Sequence, residues 1–165
     1  MTLAEAAAQA DALAREGKER ELADLRRAWD DELEAAARDA DYRQRAAAYR
    51  AIGQFRFRQK VELLRRGLED ESPACRGSAL VSLELLSRDA PGAINAVRAL
   101  LHRLVNADDN QAVRRLAAVC LRNGPPNRDT IVLLRGLADD DRADRELREV
   151  AAKVAAALKK KADTR

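Results

Sequence analysis

The sequence predicts an all-α fold, a short right-handed α-solenoid of stacked antiparallel helical hairpins forming an α-α superhelix. Three observations carry that prediction. Residues of the hydrophobic class make up 47% of the chain and aromatics only 3%; much of the apolar share is alanine and leucine, which favour helix, whereas strands want β-branched and aromatic side chains. Apolar residues recur three and four positions apart, the spacing of one helix face. Four stretches also repeat one another, and self-similarity at this period marks stacked supersecondary units.

The elements follow in chain order. Thr2 and Glu5 have the spacing of a capping box, which should open a first helix. Gly17 suits its end, so residues 1–17 are expected to form an N-terminal capping helix. Leu22, Leu25, Trp29 and Leu33 make the next apolar stripe, and DADYRQRAAAYRAIGQF from Asp39 supplies its partner helix. Val61, Leu64 and Leu68 are followed by DESPACRGSALVSLELL from Asp70, where Ser72-Pro73 offers an N-cap and a first-turn proline. Pro91 should open the third leading helix in the same way; that helix carries Val97, Leu100, Leu101, Leu104 and Val105. DDNQAVRRLAAVCLRNG from Asp108 follows, and Gly124-Pro125-Pro126 stops it. Ile131, Leu134 and Leu137 lead into DRELREVAAKVAAAL from Asp144.

Within these four stretches an arginine precedes an alanine by three residues. The arginines are Arg45, Arg76, Arg114 and Arg148, separated by 31, 38 and 34 residues; the alanines are Ala48, Ala79, Ala117 and Ala151. An aspartate lies six residues before the arginine in three copies (Asp39, Asp70, Asp108). In the fourth, position 142 is arginine and Asp144 stands four residues before Arg148. Each unit reads as helix A, acidic turn, helix B. One hairpin cannot bury both its faces, so neighbours must cover it. The expected organisation is one domain over 1–165, with repeats at about 18–55, 56–88, 90–124 and 127–161.

This pattern resembles HEAT repeats, including the PBS-lyase HEAT-like subset, over roughly residues 20–160. The resemblance implies hydrogen bonds along the stack, in which Asp39, Asp70 and Asp108 pair with the ladder of Arg45, Arg76, Arg114 and Arg148. The first copy departs from the pattern with Gln44 where Cys75, Val113 and Leu147 are apolar. The fourth has a longer acidic turn, ADDDRADRE.

Composition bounds the function. The net charge is +3 from 31 basic and 28 acidic residues, and 25 of the cations are arginine. No apolar run approaches the ~20 residues of a membrane span, and the first residues lack the basic-then-apolar order of a signal peptide. Two cysteines cannot build a disulfide framework, so a reducing, cytoplasmic setting is expected. Cys75 and Cys120 fall on apolar helix faces and read as core. His102 is the only histidine and has no second ligand at metal spacing. The acidic turn Asp139, Asp140, Asp141, Asp144 lacks the alternating oxygens, glycine and terminal glutamate of a calcium loop. No nucleophile elbow or phosphate loop is present. No catalytic, cofactor or metal site is expected.

What remains is binding. The first expectation is a non-enzymatic scaffold or adaptor for a protein partner, using the B-helix surface. The register puts Arg50, Gln54, Val81, Glu84, Arg115, Val119, Arg122 and Lys153 there, with Arg56 and Arg58 beside them. The alternative is nucleic acid. Residues 43–66 carry a net charge of +7 and residues 1–42 carry −6. Tyr42, Tyr49, Phe55 and Phe57 lie inside or beside the basic stretch, and single-stranded nucleic acid wants cations interleaved with stacking rings. Some HEAT-like proteins, alkylpurine DNA glycosylases among them, use basic, aromatic-lined faces this way. The equally available structural reading makes these rings core and the cations a solvated rim, partly neutralised by segment 1–42. A part in bilin-lyase chromophore handling, which the subset's name implies, finds no supporting residues. Lys159-Lys160-Lys161 reads as a solvated helix end that complements the macrodipole.

Overall fold

A computed structural model describes residues 1–164, and among them every regular element is an α-helix. In order these are α1 (Leu3–Arg15), α2 (Glu19–Ala37), α3 (Tyr42–Gln54), α4 (Val61–Leu68), α5 (Pro73–Ser87), α6 (Gly92–Ala107), α7 (Gln111–Leu121), α8 (Arg128–Ala138) and α9 (Arg145–Asp163). The helices α2, α4, α6 and α8 are the A helices, and α3, α5, α7 and α9 the B helices. The chain divides into two compact units, one over residues 1–86 and one from residue 87 onward. In the first, α1 packs on both α2 and α3, α2 on α3, and α3 on α4. In the second, α6 packs on α7, α8 on α9, and α7 lies beside α9.

Local chemistry places each boundary. The Thr2 hydroxyl accepts the Glu5 N–H while the Glu5 carboxylate accepts the Thr2 N–H, so the capping box closes. After α1, Gly17 adopts φ 72°, the Gly17 N–H reaches the Ala14 carbonyl, and the Lys18 N–H reaches Leu13. That pair of bonds is a Schellman ending, and its left-handed residue favours glycine. Pro91 occupies the N-cap of α6 instead of its first turn, one residue earlier than the sequence suggests; it has no N–H to leave unsatisfied there.

The acidic turns share one device. The carboxylates of Asp39, Asp70, Asp108 and Asp140 each accept the N–H two residues on, at 2.8–3.0 Å. A second residue then caps the B helix: Asp41 takes the Arg43 N–H, Asn110 that of Val113, and Asp144 that of Leu147. Asp144 is therefore the counterpart of Asp41 and Asn110, not of the turn aspartates. The fourth turn aspartate is Asp140, displaced toward the N-terminus by the longer loop.

Each unit has its own core. Leu22, Leu33, Tyr49, Ile52, Phe55, Leu64, Leu68 and Leu80 are buried in the first, and Ile94, Leu101, Val105, Ala117, Leu121, Leu134, Leu147 and Leu158 in the second. Each large apolar side chain so placed contributes about 1.5–3 kcal/mol over leaving it exposed. The α2 stripe is only partly used, with Leu25 and Trp29 half-buried. Glycines allow close approaches. A Cβ on Gly67 of α4 would lie 2.8 Å from the Ala79 Cβ of α5 and 2.9 Å from the Tyr49 ring. One on Gly124 would lie 2.6 Å from Ile94. Ala79 thus makes room for an A helix.

Candidate protein-interaction groove

In the second unit, α7 and α9 form a groove of about 500 Å³, and its lining comes from both helices. Ala112, Arg115, Leu116 and Val119 contribute from α7, and Glu146, Glu149, Val150 and Lys153 from α9. Leu116, Val119 and Val150 are half-buried, which leaves apolar surface open along the floor. These residues share a face because their spacing of three and four is helical. Arg115, Val119 and Lys153, three of the surface residues expected from the sequence, are brought together here. Arg122, three residues beyond Val119 on the same face, is exposed.

The charges are unevenly committed. Arg115 donates to Asp144 at 3.3 Å and lies 3.4 Å from Glu146, so one end of the groove is bridged. Glu149 pairs with Arg145 one turn back at 3.2 Å. The other end carries the exposed cations Lys153 and Arg122. Lys161 lies near it and donates to the carbonyls of Arg122 at 2.5 Å and Gly124 at 3.3 Å. Those carbonyls belong to the end of α7, where a cation complements the helix dipole. The sequence placed Lys161 correctly on the last turn of its own helix, but the helix it caps is α7. Only the three-dimensional pairing could show that.

The remaining expected residues lie in the first unit and do not join this groove. Arg50 and Arg58 are exposed and Gln54 half-buried. Arg56 adopts φ 59°, and its guanidinium donates to Asp11 at 2.9 Å and to the carbonyls of Gly53 and Gln54. Arg26 donates to the Phe55 carbonyl at 3.0 Å. Both arginines therefore satisfy the carbonyls that end α3, groups a helix terminus otherwise leaves orphaned. Val81 and Glu84 are half-buried on α5.

The basic, aromatic-containing stretch does not assemble as a stacking surface. Tyr49 and Phe55 are fully buried and Phe57 nearly so; only Tyr42 is exposed. Lys60 is 9% exposed, bonded to Asp30 at 2.8 Å and Glu34 at 2.6 Å, with its ammonium 4.9 Å from the Phe57 ring centre. Asp11, Asp30 and Glu34 all come from the acidic first 42 residues. That segment neutralises part of the basic one by packing across it, as one of the two sequence readings held. The periodicity did signal Phe55, which falls at an apolar position of its helix.

The arginine ladder takes several forms. Arg45 donates through Nε and a terminal nitrogen to both oxygens of Asp70, at 2.9 and 3.1 Å, with both side chains largely buried. Its other terminal nitrogen holds the carbonyls of Asp39 and Ala40. Burial acts to raise the Asp70 pKa, but the Arg45 hydrogen bond and the Ser72 N–H outweigh it, and the carboxyl sits below its ordinary value. Arg76 likewise holds the carbonyls of Asp70 and Glu71. Arg114 sends Nε to the Val105 carbonyl at 2.7 Å. The Nε of Arg148 is buried with no partner. Its hairpin has the elongated turn, which is why the fourth copy departs from the pairing the resemblance implies.

Cys75 and Cys120 form no disulfide and are buried, and Cys75 donates to the Tyr42 carbonyl at 3.2 Å. His102 is half-buried and its Nε2 lies 2.7 Å from the Thr130 hydroxyl, a contact between α6 and α8. Among the described residues no group of His, Cys, Asp and Glu could hold a metal ion, and no helix is long and apolar enough to cross a membrane.

The family model described as HEAT repeats matches residues 31–104, from within α2 through most of α6. No curated protein and no solved structure matches the chain.

Proposed function

From a chain that carries HEAT repeats over residues 31–104, we propose a non-enzymatic scaffold that binds a protein partner through the groove between α7 and α9. HEAT repeats are in general protein-interaction scaffolds. The observation that carries the assignment to this surface is its half-buried apolar floor of Leu116, Val119 and Val150, rimmed by Arg115, Glu146, Glu149 and Lys153. An apolar centre inside a polar rim is the anatomy of a protein interface. The rim carries carboxylates as well as cations, which suits a peptide better than a phosphate backbone. The burial of Tyr49, Phe55 and Phe57 removes the rings that single-stranded nucleic acid would stack on.

Selection from a random peptide display library against the whole chain tests this reading. Recovered peptides should lose binding to Val119→Asp while that variant keeps the wild-type helical signal and melting temperature. Binders indifferent to Val119→Asp and to Val150→Asp would remove the groove from consideration. A salt titration with labelled single-stranded DNA should show no binding at moderate salt.

A further inference from the structure

Resting on that groove reading, we infer that the occupant is an amphipathic helical segment of a partner protein, with two apolar side chains about one turn apart and a carboxylate one turn beyond. Length gives the first part. The α7 lining residues Ala112, Leu116 and Val119 span eight positions, seven steps of the helix, about 10 Å at 1.5 Å per residue. Two turns of a docked helix cover that distance, and apolar residues at i and i+4 present two side chains to it.

Charge gives the second part. At the end near the start of α7 and α9, Arg115 is already engaged by Asp144 and Glu146, and Glu149 by Arg145. That end holds three carboxylates against two arginines and repels further carboxylates. At the other end Lys153 and Arg122 are exposed and extend toward solvent. A carboxylate on the ligand, placed one turn past its second apolar residue, meets those two cations. The same residue placed at the opposite end would meet Glu146 and Glu149. The groove therefore reads charge order as well as apolar spacing, and complementarity of this kind fixes register and excludes wrong partners.

The test uses the full chain and three synthetic 14-residue helical peptides, each with leucine at positions i and i+4. One carries glutamate at i+7 and i+8, one lysine at the same positions, and one has the acidic peptide's composition scrambled. Titrations followed by fluorescence anisotropy should show the acidic peptide binding about tenfold or more tightly than the lysine peptide, a difference of about 1.4 kcal/mol. The variant Arg122→Glu with Lys153→Glu should reverse that order, and a paramagnetic label on the acidic end should broaden amide signals near Lys153. Equal affinity for the acidic and lysine peptides, with binding still lost in Val119→Asp, overturns the charge assignment and leaves the groove standing. Binding of all three peptides unaffected by Val119→Asp overturns the groove as well. Failure of all three to bind overturns this occupant, and the library selection then decides the groove.

Discussion

The Ser82 hydroxyl of α5 sits against the backbone of α3, accepting the Gly53 N–H at 3.0 Å and donating to the Tyr49 carbonyl at 2.5 Å. Ser82 is fully buried, and Gly53 is buried too. The two helices touch backbone to backbone here, because a Cβ on Gly53 would lie 2.8 Å from the Ser82 Cα. Small size and hydrogen bonding act together at this crossing. A buried hydroxyl is tolerated because it finds partners.

Gly53→Ala should therefore destabilise by about 1–3 kcal/mol, the usual cost of overpacking. Truncating Ser82 cannot relieve the clash fully, since its own Cα is among the nearest atoms. Gly136→Ala on α8 is the matched comparison, with nothing within 4 Å of the added methyl. There the gain in helix propensity should stabilise by up to about 1 kcal/mol. Denaturant unfolding of the two variants should give opposite signs.

Gly67→Ala tests a different crossing. Its methyl would meet the Ala79 methyl and the Tyr49 ring, neither of which is backbone. The expected loss is again about 1–3 kcal/mol. Adding Ala79→Gly should recover part of it, giving a favourable coupling in a double-mutant cycle. Strict additivity would mean the two residues do not share that space.

Acid stability should fall in two windows. Burial, and then the charge of Arg98, push the His102 pKa below its ordinary value, opposed by Asp129. A depressed imidazole pKa contributes stability that is whole above the unfolded value of about 6.5 and is lost as pH falls through the lower folded value. Asp70, also depressed, contributes stability present above about pH 3.9 and lost as pH falls through its folded pKa. In melting curves against pH, His102→Gln should flatten the first decline and Asp70→Asn the second. Asp70→Asn should also lower the melting temperature at neutral pH, because Arg45 loses its ionic partner.

Arg148 should behave unlike Arg45, its counterpart in the repeat. A buried donor without a partner costs free energy, about 1–3 kcal/mol in typical cases. Arg148→Met keeps the apolar stem and discards the orphaned Nε. Its melting temperature should equal or exceed that of the wild type, whereas Arg45→Met should melt lower. A marked loss in Arg148→Met would show that its guanidinium is satisfied in solution.

Helix class, hairpin order and most helix ends were legible in the residues, because they follow from neighbours three or four positions away. Thr2 with Glu5, Gly17, and Ser72-Pro73 need no tertiary information to be read. The fourth repeat was harder. Asp144 and Asp140 are both aspartates in one loop, and only backbone geometry separates the N-cap from the turn residue. Among the candidate site residues, Arg115, Val119 and Lys153 followed from helical register and meet on one groove. Arg56 did not, because the carbonyls it holds and the Asp11 beside it lie beyond its own helix.

The sequence alone determined which segments are helical and which face of each is apolar, since propensity and periodicity act within a turn or two of chain. Tertiary structure decided which charges are spent. Lys60, Arg56 and Arg45 look alike on paper as parts of one basic stretch, yet each is paired with a carboxylate from a different helix or turn. Coulomb energy depends on distance in space and on burial, and neither is encoded in the order of residues along the chain.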